Sequence, residues 1–291
     1  MAVAVIGMHR SGTSMVTGML ARCGMQVGPQ HELLGPSHEN PTGYWERRPM
    51  VLLDDAVMDA LALAWDHVPA LPPTGWEQDP ELDSLLIEAQ QLVAAFPQDR
   101  VWGWKDPRTS ITLPLWERAL GGPAACVVCV RNPMDVAASL ARRGGTSPRL
   151  AFQLWLAYTT SALELARERT HVITHYDAYF EDPEAELVRV CAAIGLEPTG
   201  EQLAAACASA DTSHRHGSSG LAALVASSAP DEVVAVYMEA LAQSGPVMAA
   251  VAARDELGVE SDGEPFDRAE TIAWVHEFRR SRRASAGGAV R

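Results

Sequence analysis

Short unbroken apolar runs alternate along the chain with stretches in which apolar residues recur every three or four positions. AVAVI, at 2–6, is such a run and ends at Gly7, the pattern of a strand buried on both faces of a parallel sheet. RVWGW (100–104), AACVVCV (124–130) and HVITHY (171–176) repeat it, each passing into polar residues. Between the runs the period lengthens. Met15, Met19 and Cys23 recur at helical spacing with Gly24 as a stop, and Leu82, Leu85, Leu86, Ala89, Leu92, Val93 and Phe96 form a stripe behind Asp79 as cap and Pro80 as first residue. Further helices are predicted at 111–120, at 133–143 behind Asn132 and Pro133, and at 184–194 between Asp182 and Gly195. Residues 26–50 hold Gly and Pro without a clean period and read as a long loop. The alternation predicts the α/β class: a three-layer, doubly wound, mostly parallel sheet with its ligand at the carboxyl ends of the strands. Beyond residue 195, EQLAAACASA, DEVVAVYMEALA and 268–279 read as helices, with SDGEP as a linker. One domain is expected, with an α/β core over 1–195, a mainly helical cover over 196–280 and a flexible tail over 281–291.

A chain of 291 residues, 47% hydrophobic, buries a large core and suits one domain better than two equal ones. No apolar run approaches the roughly 18 residues of a membrane span, and no basic region precedes a long apolar segment at the amino terminus; a cytoplasmic protein is expected. Five cysteines, scattered through predicted strands and helices, fit reduced thiols rather than a disulfide framework. The net charge of -14 argues against nucleic acid or an anionic membrane as partner, so any anion site must be a local pocket. Abundant alanine and scarce lysine suggest a bacterial, high-GC origin.

Four polar clusters stand at the strand ends: HRSGTS, KDPRTS, RNPMD and YD. The first belongs to GMHRSGTS (7–14), which follows the phosphate-binding pattern G-x-x-x-x-G-K-[ST] except that Thr13 stands where lysine belongs and Arg10 lies three residues earlier. Gly7 and Gly12 permit a turn with inward N–H groups, and a helix starting near Thr13 adds its positive end, so one phosphate can be held without lysine. A tight connection with no ligand has the same glycines. In RNPMDVAAS, Asn132 and Pro133 open a helix, and Arg131 with Ser139 suits a second phosphate well away from the first.

Together HRSGTS and RNPMDVAAS resemble the two nucleotide signatures of sulfotransferases that use 3'-phosphoadenosine 5'-phosphosulfate (PAPS), and HYDAYFEDPEAEL (175–187) is similar to the family's later tyrosine-aspartate element. The resemblance spans about residues 1–195. It implies that Arg10, Ser11, Gly12, Thr13 and Ser14 bind the 5'-phosphosulfate and that Arg131 and Ser139 bind the 3'-phosphate. Arg215, in a late basic, glycine-containing segment, is the candidate for closing over the nucleotide. No metal is required, since a sulfuryl group carries less charge than a phosphoryl group and its transfer can rest on placed cations and N–H donors. Arg10 stays protonated at neutral pH, so it can stabilise a leaving oxygen but not protonate it. Lys105 resembles the lysine of a K-D-P element and is expected near the transferring group, with Asp106 orienting it or capping a helix and Arg108 near nucleotide or acceptor.

An acceptor hydroxyl or amine, on a small molecule, carbohydrate or lipid, must lose a proton. The 39–46 loop offers Glu46, which Tyr44 and Trp45 would surround with apolar groups; Glu39 and His38 are the alternatives. Cys126 and Cys129 read as buried thiols, and His214 and His216 lack partners at metal spacing. Trp102, Trp104, Trp116 and Trp155 read as core, and RRSRRAS as the solvated end of a helix. A magnesium-dependent nucleotide kinase or NTPase is the rival reading. It would need lysine at position 13 and a carboxylate at a strand end, for which Asp106 is the candidate. A non-catalytic nucleotide-binding protein would need only the cradle.

Overall fold

In the computed structural model, which describes residues 1–35, 43–210, 215, 217–252 and 267–287 (side chains to 281), all four predicted strands form. They are β1 (Ala2–Ile6), β2 (Trp102–Lys105), β3 (Ala125–Val130) and β4 (His171–His175), in one parallel sheet ordered β2-β1-β3-β4. Every pairing is parallel, so the fold is the expected α/β class. The order reverses at β1, which places the crevice for a ligand beyond the carboxyl ends of β1 and β3.

Strand residues alternate between two cores. Ala4, Ile6, Trp104, Cys126, Val128 and Ile173 join one apolar cluster, and Val3, Val5, Val127, Cys129 and Val172 join the other. The first cluster is filled by α2 (Arg48–Ala60), α4 (Thr109–Leu120), α6 (Pro148–Ala166) and α11 (Asp231–Ala242), the second by α1 (Thr13–Arg22), α8 (Pro183–Ala193) and α9 (Gly200–Cys207). Helices on both faces of a sheet make the three layers. Cys126 and Cys129 therefore point to opposite faces and share no site; burial raises the Cys126 thiol to about 12.

The remaining helices are α3 (Asp83–Ala94), α5 (Pro133–Gly144), α7 (Ala178–Glu181), α10 (Leu221–Ala226), α12 (Gly245–Ala252) and α13 (Arg268–Gly287). Asn132 and Asp182 cap α5 and α8 as the sequence predicts, accepting from Met134 N at 2.9 Å and Ala185 N at 3.0 Å. Asp79 and Pro80 open a 3-10 turn, Pro80–Leu82, and the α-helix starts only at Asp83. The long loop stops sooner than its composition implies, because α2 begins at Arg48 with proline in its first turn. The longest missed element is α6. The last helix runs on to Gly287, past the expected fraying point, and Arg279 is not a solvated residue: its Nε donates to Val225 O at 2.8 Å and Nη1 to Ala229 O at 2.7 Å. No helix among the described residues is long and apolar enough to cross a membrane.

Candidate active site

The first loop takes its shape from its glycines. Gly7, at φ 136°, lies so close to β3 that a Cβ there would meet Cys129 O at 2.3 Å, and Gly12, at φ 87°, leaves room for Tyr176, whose Cδ2 would lie 2.4 Å from a Cβ. Gly7 N donates to Ser110 Oγ at 2.8 Å, which ties the loop to α4. Arg10 also takes a left-handed backbone, at φ 70°. Gly12 precedes α1 with no side-chain cap, and the first turn of that helix holds no acidic residue. An uncapped helix start leaves N–H groups and the positive dipole end facing the crevice, the arrangement that holds a phosphate or sulfate.

The second signature meets the first directly. Arg10 Nε donates to Ser139 Oγ at 2.9 Å, across 129 residues, and Arg131 Nη1 donates to Arg10 O at 3.3 Å. The two loops, expected to hold anions well apart, are thus bridged by the Arg10 side chain in this structure. Arg131 and Ser139 are both 5% exposed. The Arg131 guanidinium stacks over Tyr176, 4.2 Å from the ring centroid, and its carbonyl accepts from Trp155 Nε1 at 3.1 Å. Tyr176 thus carries Arg131 on one side and packs against Gly12 on the other.

Lys105 ends β2, and its pairing with Val5 brings it beside the first loop. Its Nζ donates to Ser14 Oγ at 2.9 Å and is ion-paired with Glu46 Oε1, with the two side chains 1% and 10% exposed. Glu46 is delivered by a short ladder: Leu34 N donates to Glu46 O at 2.8 Å, Tyr44 N to Leu34 O at 3.2 Å, and Trp45 packs on Gly18 of α1. Its surroundings are therefore not the apolar ones expected from Tyr44 and Trp45, but a cation. Its other oxygen, Oε2, is closed off without a hydrogen-bond partner among the described residues. His38 and Glu39, the alternative proton acceptors, lie outside the described residues, as do His214 and His216.

Asp106 neither orients Lys105 nor caps α4. Its Oδ1 accepts from Arg108 N at 2.9 Å and Arg108 Nη1 at 3.1 Å, and it is fully buried. Burial, then Asp54, raises its carboxyl to about 8, against the pull of Arg108. Arg108 also pairs with Asp55 at 2.6 Å. Below them Asp54 collects Thr109, Thr112 and Trp116, which pins the start of α4 to α2 and fixes the KDPR turn. Arg215 reaches Asp177 at 3.1 Å and lies over Phe180, next to the Tyr176–Arg131 stack. The segment after it is tied to the second signature by Ser219 N on Asp135 Oδ2 at 3.0 Å and Asn132 Nδ2 on Ser219 O at 2.7 Å.

The first loop, Glu46, Lys105 and Arg108 line a cavity of about 320 Å³, whereas Arg131, Ser139 and Arg215 are not among its lining residues. Arg10, Thr13, Ser14, Glu46, Lys105 and Arg108 were singled out in the sequence; His9, Trp65 and Arg143 were not, although they line the same cavity. His9 stands beside Arg10 in HRSGTS, so the loop itself held that signal, whereas Trp65 and Arg143 arrive by tertiary packing. The four lining cations offset a strongly acidic chain at one place.

The geometry is thus a parallel α/β sheet with an uncapped glycine loop, an arginine-serine pair meeting it and a lysine brought in from the adjacent strand, an arrangement suited to an anionic group. A family model described as "Sulfotransferase family" matches residues 2–200, more than half of the chain. The chain belongs to the sulfotransferase family, which implies transfer of a sulfuryl group. A solved structure, "Sulfotransferase Domain from the Synechococcus PCC 7002 Olefin Synthase", is similar at 19% identity, covering 95% of this chain and 94% of that one, with a TM-score of 0.42. Among curated proteins no relative matches.

Proposed function

We propose that this sulfotransferase uses PAPS and transfers its sulfuryl group, by in-line displacement and without a metal ion, to a hydroxyl or amine of a small-molecule, carbohydrate or lipid acceptor. The observation that carries the reading is the meeting of the two signature loops, Arg10 Nε on Ser139 Oγ at 2.9 Å above the uncapped start of α1. The residues fit such a donor: Ser11 Oγ is buried with no partner among the described residues, in the loop that opens the uncapped start of α1. Arg10, Ser11, Gly12, Thr13 and Ser14 would hold the 5'-phosphosulfate, Arg131 and Ser139 the 3'-phosphate, and Arg215 the outer side of the nucleotide. When bound, the donor supplies the sulfuryl group and a stable leaving phosphate.

The chain's own residues supply position and charge. Lys105, fixed by Ser14 and Glu46, meets negative charge developing at the transferred group, and Arg10 meets that on the leaving oxygen. Glu46 keeps the Lys105 ammonium aimed at the loop. Asp106 is sealed against Arg108, which removes the strand-end carboxylate that a magnesium-dependent kinase would need.

A thermal-shift comparison tests the reading. At about a hundred times its dissociation constant a ligand adds about 2.7 kcal/mol, several degrees at this size. The product nucleotide, 3'-phosphoadenosine 5'-phosphate (PAP), should stabilise the protein with or without magnesium, and ADP should not. Stabilisation by magnesium and ADP alone would overturn the reading.

A further inference from the structure

We propose that the His9 imidazole, at Nδ1, takes the proton that the acceptor gives up. The inference rests on the sulfotransfer reading above and names a residue for its proton step.

His9 lines the 320 Å³ cavity together with Arg10, Ser14, Glu46 and Lys105. Its Nε2 is closed off from solvent and has no hydrogen-bond partner among the described residues. Nδ1 makes no hydrogen bond among the described residues and is not closed off, so it is the nitrogen that faces the cavity. Around the ring lie Trp65, with centroids 5.0 Å apart at 55°, and Tyr158, at 5.5 Å and 77°. Tyr158 cannot donate to Nε2, because its hydroxyl donates to Trp65 O at 3.0 Å. Aromatic faces accept an N–H weakly and offer nothing to a lone pair. The neutral ring therefore carries its proton on Nε2 and its lone pair on Nδ1.

Burial and the surrounding cations favour the neutral form. Burial first, then Arg108 and Lys105 from the β2 end, Arg143 from α5 and Arg10 from the loop hold the imidazole well below its ordinary range, so the lone pair is available at pH 7. Glu46 is the one carboxylate among the described lining residues, and it is engaged with Lys105 through Oε1 while Oε2 is sealed. A base next to four cations is weak in the empty site. Once those cations face a bound anionic nucleotide their effect on the ring is offset, and the proton affinity of Nδ1 rises when it is needed. In the step itself the acceptor O–H proton passes to Nδ1 as that oxygen bonds to sulfur. The bond from sulfur to the 5'-phosphate oxygen breaks with its electron pair on that oxygen, where Arg10 meets the charge.

The test compares wild type with His9→Asn and His9→Gln in the full chain. PAP binding by calorimetry should stay within about threefold. Single-turnover decay of PAPS, with a simple aliphatic alcohol or water as acceptor, should fall by about 10²–10⁴-fold. The wild-type rate should rise with pH through one ionisation that both variants lack. Unchanged decay, or a retained pH limb, overturns the proposal, as does a wild type that binds PAP but decays no PAPS. Should the variants fail to fold, NMR titration of His9 in the wild type decides: its pKa should rise by about one unit or more when PAP binds, and an unmoved value overturns the proposal. A wild type that does not bind PAP refutes the sulfotransfer reading instead, whatever His9 does.

Discussion

Lys105→Met removes the cation that holds Glu46. The two side chains are 1% and 10% exposed, and Glu46 Oε2 already has no partner, so the variant strands a carboxylate with both oxygens unmet. Removing one member of a buried pair costs about 3–5 kcal/mol, while replacing both with well-packed apolar groups of similar volume is often near neutral. Lys105→Met should therefore lower the unfolding free energy by about 3 kcal/mol or more, with about 1 kcal/mol of that from the lost donor on Ser14 Oγ. Glu46→Gln alone leaves Lys105 with Ser14 and should cost about 2 kcal/mol. The double variant leaves a neutral buried amide in place of the pair and should lie about 2 kcal/mol below wild type, a coupling of about 3 kcal/mol. Urea titration with an unchanged slope measures all four corners of the cycle. A cost below about 1 kcal/mol for Lys105→Met, or a double variant equal to the sum of the singles, would refute the buried-pair reasoning. In turnover, Glu46→Gln should slow the reaction by loosening Lys105 while PAP affinity stays nearly unchanged.

Three other outcomes follow from the geometry. Arg10→Ala deletes the bridge to Ser139 and should weaken PAP binding about 10- to 100-fold, as loss of a charged hydrogen bond at about 1.5–3 kcal/mol implies; calorimetry checks it. Gly12→Ala meets both φ 87° and the Tyr176 ring, so about 1–2 kcal/mol of stability should go, and PAP affinity with it through displaced Arg131, as urea midpoints and calorimetry would record. His175 is buried against Tyr237, and burial first, then Arg131 and Arg215, lowers its pKa to about 3. Because the folded value lies below the unfolded one of about 6.5, its contribution is whole above that pH and is lost as pH falls toward 3, at up to about 1.4 kcal/mol per pH unit. His175→Asn should flatten the fall in urea midpoint between pH 6 and pH 4.

How much of this was legible in the sequence depends on the range of the interaction. The four strands announced themselves because a strand buried on both faces is an uninterrupted apolar run, and the caps at Asn132 and Asp182 because they act within three residues. Helix α6 was missed because its buried residues, among them Ala151, Phe152, Leu154, Trp155, Tyr158, Ser161 and Ala162, surround most of its circumference and erase the stripe. Helix α2 was hidden because Asp54, a charged residue, points inward to Thr109, Thr112 and Trp116. At the site, the motifs named Arg10, Arg131 and Ser139 one loop at a time. Their mutual contacts span more than a hundred residues and depend on strand pairing, which local pattern does not encode. Glu46 was chosen for its aromatic neighbours in sequence, but its environment is set by a lysine 59 positions away.

That lysine also resolves the anomaly at Thr13. A phosphate loop of the usual kind carries its lysine directly after the second glycine, where the helix begins. Here the ammonium comes from the adjacent strand: Val5 pairs with Lys105 in the sheet, and Lys105 Nζ arrives 2.9 Å from Ser14 Oγ, one residue past the position where lysine is absent. A cation mounted on a buried strand and locked by Glu46 has little freedom to follow a migrating charge, and with Arg10 committed to Ser139 the site presents its positive charge at fixed points. Fixed charge favours a reaction in which charge shifts only a short distance between an entering and a leaving oxygen, since preorganised groups then need not reorient as the barrier is crossed. Sulfuryl transfer is such a reaction.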